Sequence, residues 1–148
     1  PGSGQIGTLA LAVPVSSLRF WQRRLAEHGF APRASERFGE ALLSFKHPCG
    51  IAYELVGVAD DDRLPYSNGE VPGELAIRGT HSITVNVREL EFSQEFMSDG
   101  WNGREVAGDG RHVRYALGDG GPGTLVDFAL EPAMAQGSWG FGEGVVHH

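Results

Sequence analysis

The chain is built from two similar halves, offset from each other by about 72 residues. At this offset Gly7-Thr8 overlies Gly79-Thr80, and Val13 overlies Val85. Small drifts in the offset, which loop insertions and deletions produce, extend the match along both halves. Such a repeat restricts the chain to folds assembled from two copies of one structural unit. Further matches pair Leu18 with Leu90, Phe20 with Phe92, Gly29-Phe30 with Gly100-Trp101, and residues 50–54 with residues 123–127.

Both halves show the same succession of patterns. An alternating stretch predicts a half-buried strand, and a stretch with helical spacing follows it. Three short segments with turns rich in Gly, Pro and Asp then predict three more strands. Each half is therefore predicted to be a βαβββ unit. The expected elements lie at 8–13, 17–28, 33–38, 41–46 and 51–56 in the first half, and at 80–87, 89–98, 104–107, 113–117 and 124–130 in the second.

The two predicted helices are amphipathic. Leu18, Trp21 and Leu25 fall on one face of the first helix. Phe92 and Phe96 fall on one face of the second helix. These apolar faces are expected to pack against the sheet.

Two such units are expected to pair, because a single unit has one apolar sheet face that it cannot cover by itself. The predicted fold class is α+β, with two paired βαβββ modules. The modules span 1–57 and 78–131, with a polar linker at 58–77 and a second linker leading into a further module at 132–148. An unrelated α+β sandwich whose halves match by chance is the alternative.

Composition excludes several classes of function. The 148 residues carry 12 basic and 19 acidic side chains, a net charge of −7, which argues against nucleic acid as a partner. No stretch approaches the ~20 consecutive apolar residues that a membrane-spanning helix needs. The single cysteine, Cys49, excludes an internal disulfide and is typical of the reducing cytoplasm.

The last residues continue the repeat. Val146 overlies Thr8, and His148 overlies Ala10 and Ser82, so the chain is expected to enter the first strand of a third unit. On this interpretation the sequence is part of a longer protein. The alternatives for His147-His148 are the start of a purification tag or two surface residues at a frayed end.

Paired βαβββ units resemble the vicinal-oxygen-chelate superfamily, which includes glyoxalase I, bleomycin-resistance proteins and extradiol dioxygenases. Within it, the chain is similar to the hydroquinone 1,2-dioxygenases over nearly its whole length. Those enzymes have four βαβββ modules, and this chain resembles the second and third, with the first residues of the fourth. The strings that carry the likeness are Arg37-Phe38-Gly39-Glu40, His47-Pro48-Cys49-Gly50-Ile51, Pro65-Tyr66, Val87-Arg88-Glu89-Leu90-Glu91, Gly137-Ser138-Trp139 and Glu143-Gly144-Val145-Val146-His147-His148.

The resemblance implies an Fe(II) enzyme that opens an aromatic diol with O2. Two imidazoles and one carboxylate on one side of the iron leave positions open for diol and O2. Carried over from the family, His148 matches a metal ligand, and His147 matches a neighbouring group that donates or accepts a proton. The other ligands would come from the remaining modules of the same protein, so this segment alone is expected to be inactive. An unpaired sheet edge would also favour homo-oligomers.

Glu54 and Asp127 lie where this superfamily often places its metal carboxylate. The histidine that should share the metal is replaced by Ala10 in the first half and Ser82 in the second. Carboxylates without imidazoles make a poor Fe(II) site, so both are predicted to be structural polar groups or the relic of a lost site. His81, next to Ser82, is expected to point to the opposite face of its strand.

A second class of function remains open. Two βαβββ units suffice for a metal-free binding module of the bleomycin-resistance type, and the incomplete set of metal ligands within the chain favours it. The third repeat and the dioxygenase-like strings favour the enzyme. A glyoxalase-type isomerase is a weaker third option, because its metal residues should occur within these two units.

Overall fold

The computed structural model describes residues 2–66, 69–138 and 146. Within them, eight strands form one mixed sheet in the order β2-β3-β4-β1-β5-β8-β7-β6. The prediction of two paired βαβββ modules is confirmed, and every predicted strand is present to within a few residues. The strands are β1 (Gln5–Pro14), β2 (Arg33–Arg37), β3 (Glu40–Lys46), β4 (Ala52–Val58), β5 (Gly79–Val87), β6 (Arg104–Gly108), β7 (His112–Ala116) and β8 (Leu125–Leu130).

The modules join edge to edge through their first strands. β1 runs antiparallel to β5, with Leu9 opposite Ile83. On the outer side of each, β1 pairs in parallel with β4, and β5 pairs in parallel with β8. The arrangement gives the pair an approximate two-fold axis beside the Leu9–Ile83 pair, so that corresponding strands of the two modules meet in the middle of the sheet.

Helix α1 (Leu18–Glu27) covers one face of the first module, as its pattern predicts. A short 3-10 turn at Val15–Ser17 precedes it. Leu25 packs in a core cluster with Val13, Leu43 and Leu55, and Leu18 and Trp21 border that cluster. The chain leaves the helix through Gly29, whose φ of 83° is the left-handed conformation that glycine adopts most easily.

The second helix buries a different face from the one its sequence suggests. Helix α2 (Glu91–Glu95) is short and continues as a π turn at Phe96–Gly100. Phe92 is 74% exposed and Phe96 is 51% exposed, so the prediction that they face the core is wrong. Met97 is 2% exposed and packs with Val87, Val113, Tyr115 and Phe128. Leu90, seven residues before Met97 and so on the same side of the helix, packs against the same cluster, which shows that the face carrying Leu90 and Met97 lies towards the sheet.

The linker between the modules packs against the first module. It contains a 3-10 turn at Gly73–Leu75. The indole Nε1 of Trp21 donates a hydrogen bond of 2.8 Å to the Leu75 carbonyl, and the Arg78 amide donates one of 2.8 Å to the Ala12 carbonyl. None of the helices in the described part of the chain has the length and apolar character needed to cross a membrane.

Candidate functional site

The centre of the sheet carries two buried carboxylates on the face opposite the helices. Glu54 on β4 is 8% exposed, and Asp127 on β8 is 0% exposed. β4 and β8 flank the two central strands, so these carboxylates lie on either side of the approximate two-fold axis. Glu54 and Asp127 are the two residues whose sequence positions match the metal carboxylates of the superfamily.

Each carboxylate is held by a guanidinium group. Arg37 donates to both oxygens of Glu54, at 3.0 and 2.5 Å. Arg114 donates to both oxygens of Asp127, through Nε at 2.7 Å and Nη2 at 2.9 Å. Arg37 Nη2 also lies 3.6 Å from Asp127 Oδ2, which links the two pairs across the axis. Burial by itself lowers the pKa of both arginines. The hydrogen bonds and negative charges of the carboxylates have the larger effect, so the pKa of each arginine is raised above its ordinary value.

A third carboxylate reaches this cluster from the β2–β3 turn. Glu40 accepts a hydrogen bond of 2.5 Å from Arg114 Nη1, and its Oε1 lies 3.2 Å from His81 Nε2. The ring of Phe38, from the same turn, lies 4.8 Å from the Arg114 guanidinium carbon. Burial raises the pKa of Glu40, but the hydrogen bonds and charges of His81 and Arg114 outweigh it and hold the pKa at about 2. The β2–β3 turn of the first module thus contacts Arg114 and His81 of the second module directly.

His81 shares a face with Ser82, which corrects the expectation from strand alternation. The pairing of β1 with β5 shifts between Ala10 and Leu11, and His81 has no partner across the ladder. Such a bulge places two successive side chains on one side of the strand. The ring Nδ1 therefore lies 3.1 Å from the Ser82 hydroxyl, and the ring is fully buried.

The bulge also changes which residues correspond between the modules. Glu54 lies beside Ala10 in the ladder, and Asp127 lies beside Thr84, not Ser82. Thr84 is therefore the structural counterpart of Ala10. Its hydroxyl is buried and, like Nε of Arg37, has no hydrogen-bond partner among the described residues.

The residues at this centre do not fit a metal ion. Both oxygens of Glu54 and of Asp127 already accept from arginine, and neither Ala10 nor Thr84 offers an imidazole. No group of three or more His, Cys, Asp or Glu in the described residues could hold a metal. The interpretation of Glu54 and Asp127 as structural polar groups agrees with these contacts.

The two histidines predicted to act in catalysis, His147 and His148, lie outside the described residues. Of the final ten residues the structure describes Val146 alone, with 40% exposure. The roles of His147 and His148 therefore stay predictions.

Sequence reasoning missed the arginines that complete the cluster. Arg37 and Glu40 belong to the string Arg37-Phe38-Gly39-Glu40, which carried family likeness but no assigned role. Phe38 and Gly39 both have positive φ, 54° and 77°, and form the tight turn that projects their neighbours over the sheet. The pairing of Arg114 with Asp127 had a sequence signal too, since a basic and an acidic residue lie on predicted neighbouring strands.

An open cavity of about 410 Å³ lies beside the cluster, within the first module. Strands β2, β3, β4 and β1 form it, and Glu54 borders it. Arg33 and Lys46 are among its lining residues.

Sequence comparison finds relatives among dioxygenases. The chain is 37% identical over 150 residues to the chlorohydroquinone/hydroquinone 1,2-dioxygenase of Sphingobium indicum, matching 99% of this chain and 47% of that protein. It is 29% identical to a Bacillus subtilis protein named ring-cleaving dioxygenase MhqO, matching 99% of this chain and 46% of that protein. The chain thus spans about half the length of these relatives. No protein-family model matches it.

Comparison with solved structures finds proteins of the same fold. A Bacillus subtilis protein described as a dioxygenase superposes on all of this chain and 46% of its own, with a TM-score of 0.85 and 28% identity. Glyoxalase I from Zea mays superposes on 87% of this chain and 43% of its own, with a TM-score of 0.57 and 16% identity, a likeness of fold alone. The chain is thus similar in sequence to ring-cleaving dioxygenases, among them one that acts on hydroquinones, and it has the fold of glyoxalase I.

Proposed function

We propose that this chain forms the second and third modules of a four-module, Fe(II)-dependent extradiol-type dioxygenase that opens hydroquinone or chlorohydroquinone-like rings with O2. The observation that carries the proposal is the 37% identity to a chlorohydroquinone/hydroquinone 1,2-dioxygenase across 99% of the chain. The modules are 1–57 and 78–131, the linker is 58–77, and the fourth module begins within 132–148.

The iron of this proposal lies outside the pair of modules described above. The arginines that hold Glu54 and Asp127 supply the positive charge that a metal would otherwise provide between them, so this pair serves as a metal-free scaffold. His148 is proposed as one iron ligand and His147 as the neighbouring acid–base group. The remaining ligands belong to the other modules of the same polypeptide.

The protein is proposed to be cytoplasmic and to form homo-oligomers. Cys49 is a free thiol, which supports a reducing, cytoplasmic location. The outer strands β2 and β6 each have one unpaired edge in the described sheet, which supports association into a homo-oligomer.

The test uses the native polypeptide that contains this sequence. Its intact mass should be about twice the 15.9 kDa of the present chain, and it should bind one Fe(II) per chain and consume O2 with hydroquinone. His148→Ala should abolish iron binding and ring cleavage, whereas His147→Ala should retain iron and lose turnover. His28→Ala, at the exposed end of α1, is the matched control and should retain both.

Two outcomes contradict the proposal. Ring cleavage by a preparation that contains only these 148 residues would show that the pair itself holds the catalytic centre. Full iron content and activity in His148→Ala would remove that residue from the metal site.

A metal-free binding module of the bleomycin-resistance type is the second candidate. The cavity beside Arg33 and Lys46 favours it, together with the lack of a metal-binding cluster in the described residues. A native polypeptide of about 15.9 kDa that binds no iron would decide for this function.

A further inference from the structure

The lining of the cavity in the first module includes three short side chains, here called its floor (Thr8, Ser44 and Ala52), and two cations, here called its basic rim (Arg33 and Lys46). Two rows of cross-strand neighbours supply these five residues and Glu54, and Ala31, Phe45 and Tyr53 complete the lining. In one row Arg33 lies opposite Ser44, and Ser44 lies opposite Glu54. In the next row Lys46 lies opposite Ala52, and Ala52 lies opposite Thr8.

All six side chains of these rows point to the same face of the sheet. Arg37 shows which face it is, because it lies on β2 at an even spacing from Arg33 and contacts Glu54. Successive rows on one face lie about 6–7 Å apart along the strands, so Arg33 and Lys46 are diagonal neighbours across the cavity. Both side chains are therefore able to reach one small ligand.

The charge at this cavity is positive, in a chain whose net charge is −7. Glu54 is neutralised by the two hydrogen bonds from Arg37. Arg33 and Lys46, the only lysine in the sequence, form no ion pair with any described residue. The adjoining cluster has three carboxylates, Glu40, Glu54 and Asp127, against the two guanidinium groups of Arg37 and Arg114. The two further cations, Arg33 and Lys46, exceed that single surplus negative charge and leave a net positive potential that attracts an anion.

The corresponding positions of the second module are built differently. Leu125 stands where the first module has Ala52, and the paired Arg114 stands where it has Ser44. At the rim, Ala116 and Ala107 stand where the first module has Lys46 and Arg33. The small floor and the basic rim thus occur together in one module only, although the two modules share their fold. Neither feature is a requirement of the βαβββ unit.

We propose that this cavity binds a small organic anion. The carboxylate of this ligand lies between Lys46 and Arg33, and the hydroxyl of Thr8 offers a further hydrogen bond. Its apolar part lies over Ala52, the shortest side chain of the floor. This site is distinct from the iron centre proposed for the other modules and does not depend on it.

The experiment is a titration of the 148-residue chain with benzoate. Calorimetry measures the affinity, and the backbone amide resonances of β3 and β4 locate the site. Benzoate should give saturable shifts at Ser44, Lys46 and Ala52, and neutral benzamide should bind at least tenfold more weakly. Lys46→Met should weaken benzoate binding at least tenfold, which corresponds to about 1.4 kcal/mol. Ala52→Leu, which copies the floor of the second module, should abolish binding.

Arg19→Met is the charge-matched control, because it removes one exposed cation on α1, away from the cavity. It should leave benzoate affinity unchanged. The proposal is overturned if benzoate gives no saturable shifts at millimolar concentration, or if benzamide binds equally well. It is also overturned if Lys46→Met binds like Arg19→Met. Because Lys46 is exposed, its variant should fold even where Ala52→Leu does not.

Discussion

Two buried carboxylates on neighbouring parts of a sheet repel each other unless cations lie between them. In many metal sites a divalent ion performs that task, and here two guanidinium groups perform it. Arg37 and Arg114 each make a two-point contact with one carboxylate, and Arg37 also lies within 3.6 Å of the other. The planar guanidinium suits this geometry, because its donors match the spacing of carboxylate oxygens. The cluster stabilises the fold only as long as its charges stay paired.

Loss of Arg114 should therefore be severe. Arg114→Met leaves Asp127 and Glu40 without their closest cation, and breaking a buried pair in this way costs about 3–5 kcal/mol. Urea unfolding measures the loss. Arg23→Met, which breaks the exposed Arg23–Glu27 pair on α1, is the control and should cost no more than about 0.5 kcal/mol. Equal midpoints for the two variants would show that the buried cluster adds nothing to stability.

Glu40 should make stability depend on acid pH. Its pKa is about 2 in the folded protein and ordinarily 4.5, so its stabilisation is complete above pH 4.5 and is lost as pH falls towards 2. Glu40→Gln should lower the free energy of unfolding by about 1–3 kcal/mol near neutral pH. The difference from wild type should shrink below pH 4.5, because protonated Glu40 resembles glutamine.

Unfolding free energies between pH 7 and pH 2 test this. Glu36→Gln changes an exposed carboxylate on the neighbouring strand and should differ little from wild type throughout. If the difference in unfolding free energy between wild type and Glu40→Gln does not change with pH, the cluster does not lower the pKa of Glu40.

The strands and α1 could be predicted from the sequence, because local pattern and tertiary packing agree there. Leu25 follows the helical period and is buried, and the turns use glycine where φ is positive. The prediction of α2 was wrong about its buried face, because the face that carries Leu90 and Met97 packs on the sheet in place of the face that carries Phe92 and Phe96. The prediction for His81 was wrong because a bulge breaks the two-residue period of β5. The choice of helix face and the bulge both depend on contacts between distant segments, which a local pattern does not contain.

The orientation of α2, with Met97 buried and Phe92 exposed, has a measurable consequence. Met97→Ala should cost about 2–5 kcal/mol, because it leaves a cavity among Val87, Tyr115 and Phe128. Phe92→Ala removes a larger side chain but one that is mostly exposed, so it should cost less than about 0.5 kcal/mol. Thermal or urea unfolding of the two variants decides between the faces. If Phe92→Ala were the less stable variant, the face that carries Phe92 and Phe96 would be the one packed on the sheet.

The two modules share one continuous sheet in the described part of the chain, and the seam between them is an ordinary strand pair. β1 and β5 exchange backbone hydrogen bonds along most of their length, and Glu40 crosses from the first module to Arg114 and His81 of the second. Neither module can leave the other without exposing the long edge of its first strand and uncovering buried charges. The two modules should therefore unfold together, as one cooperative unit.

Tryptophan fluorescence can test this cooperativity. Replacing Trp101 and Trp139 by Phe leaves Trp21, which lies on α1 and reports on the first module alone. Adding Met97→Ala, a change in the core of the second module, should lower the urea midpoint seen by Trp21 as much as the midpoint seen by circular dichroism. If the modules unfold independently, the Trp21 midpoint will stay at its original value while circular dichroism shows two transitions. Coincident, shifted curves would mean that the buried cluster and the β1–β5 seam make the modules thermodynamically inseparable, because damage to one core is then felt in the other.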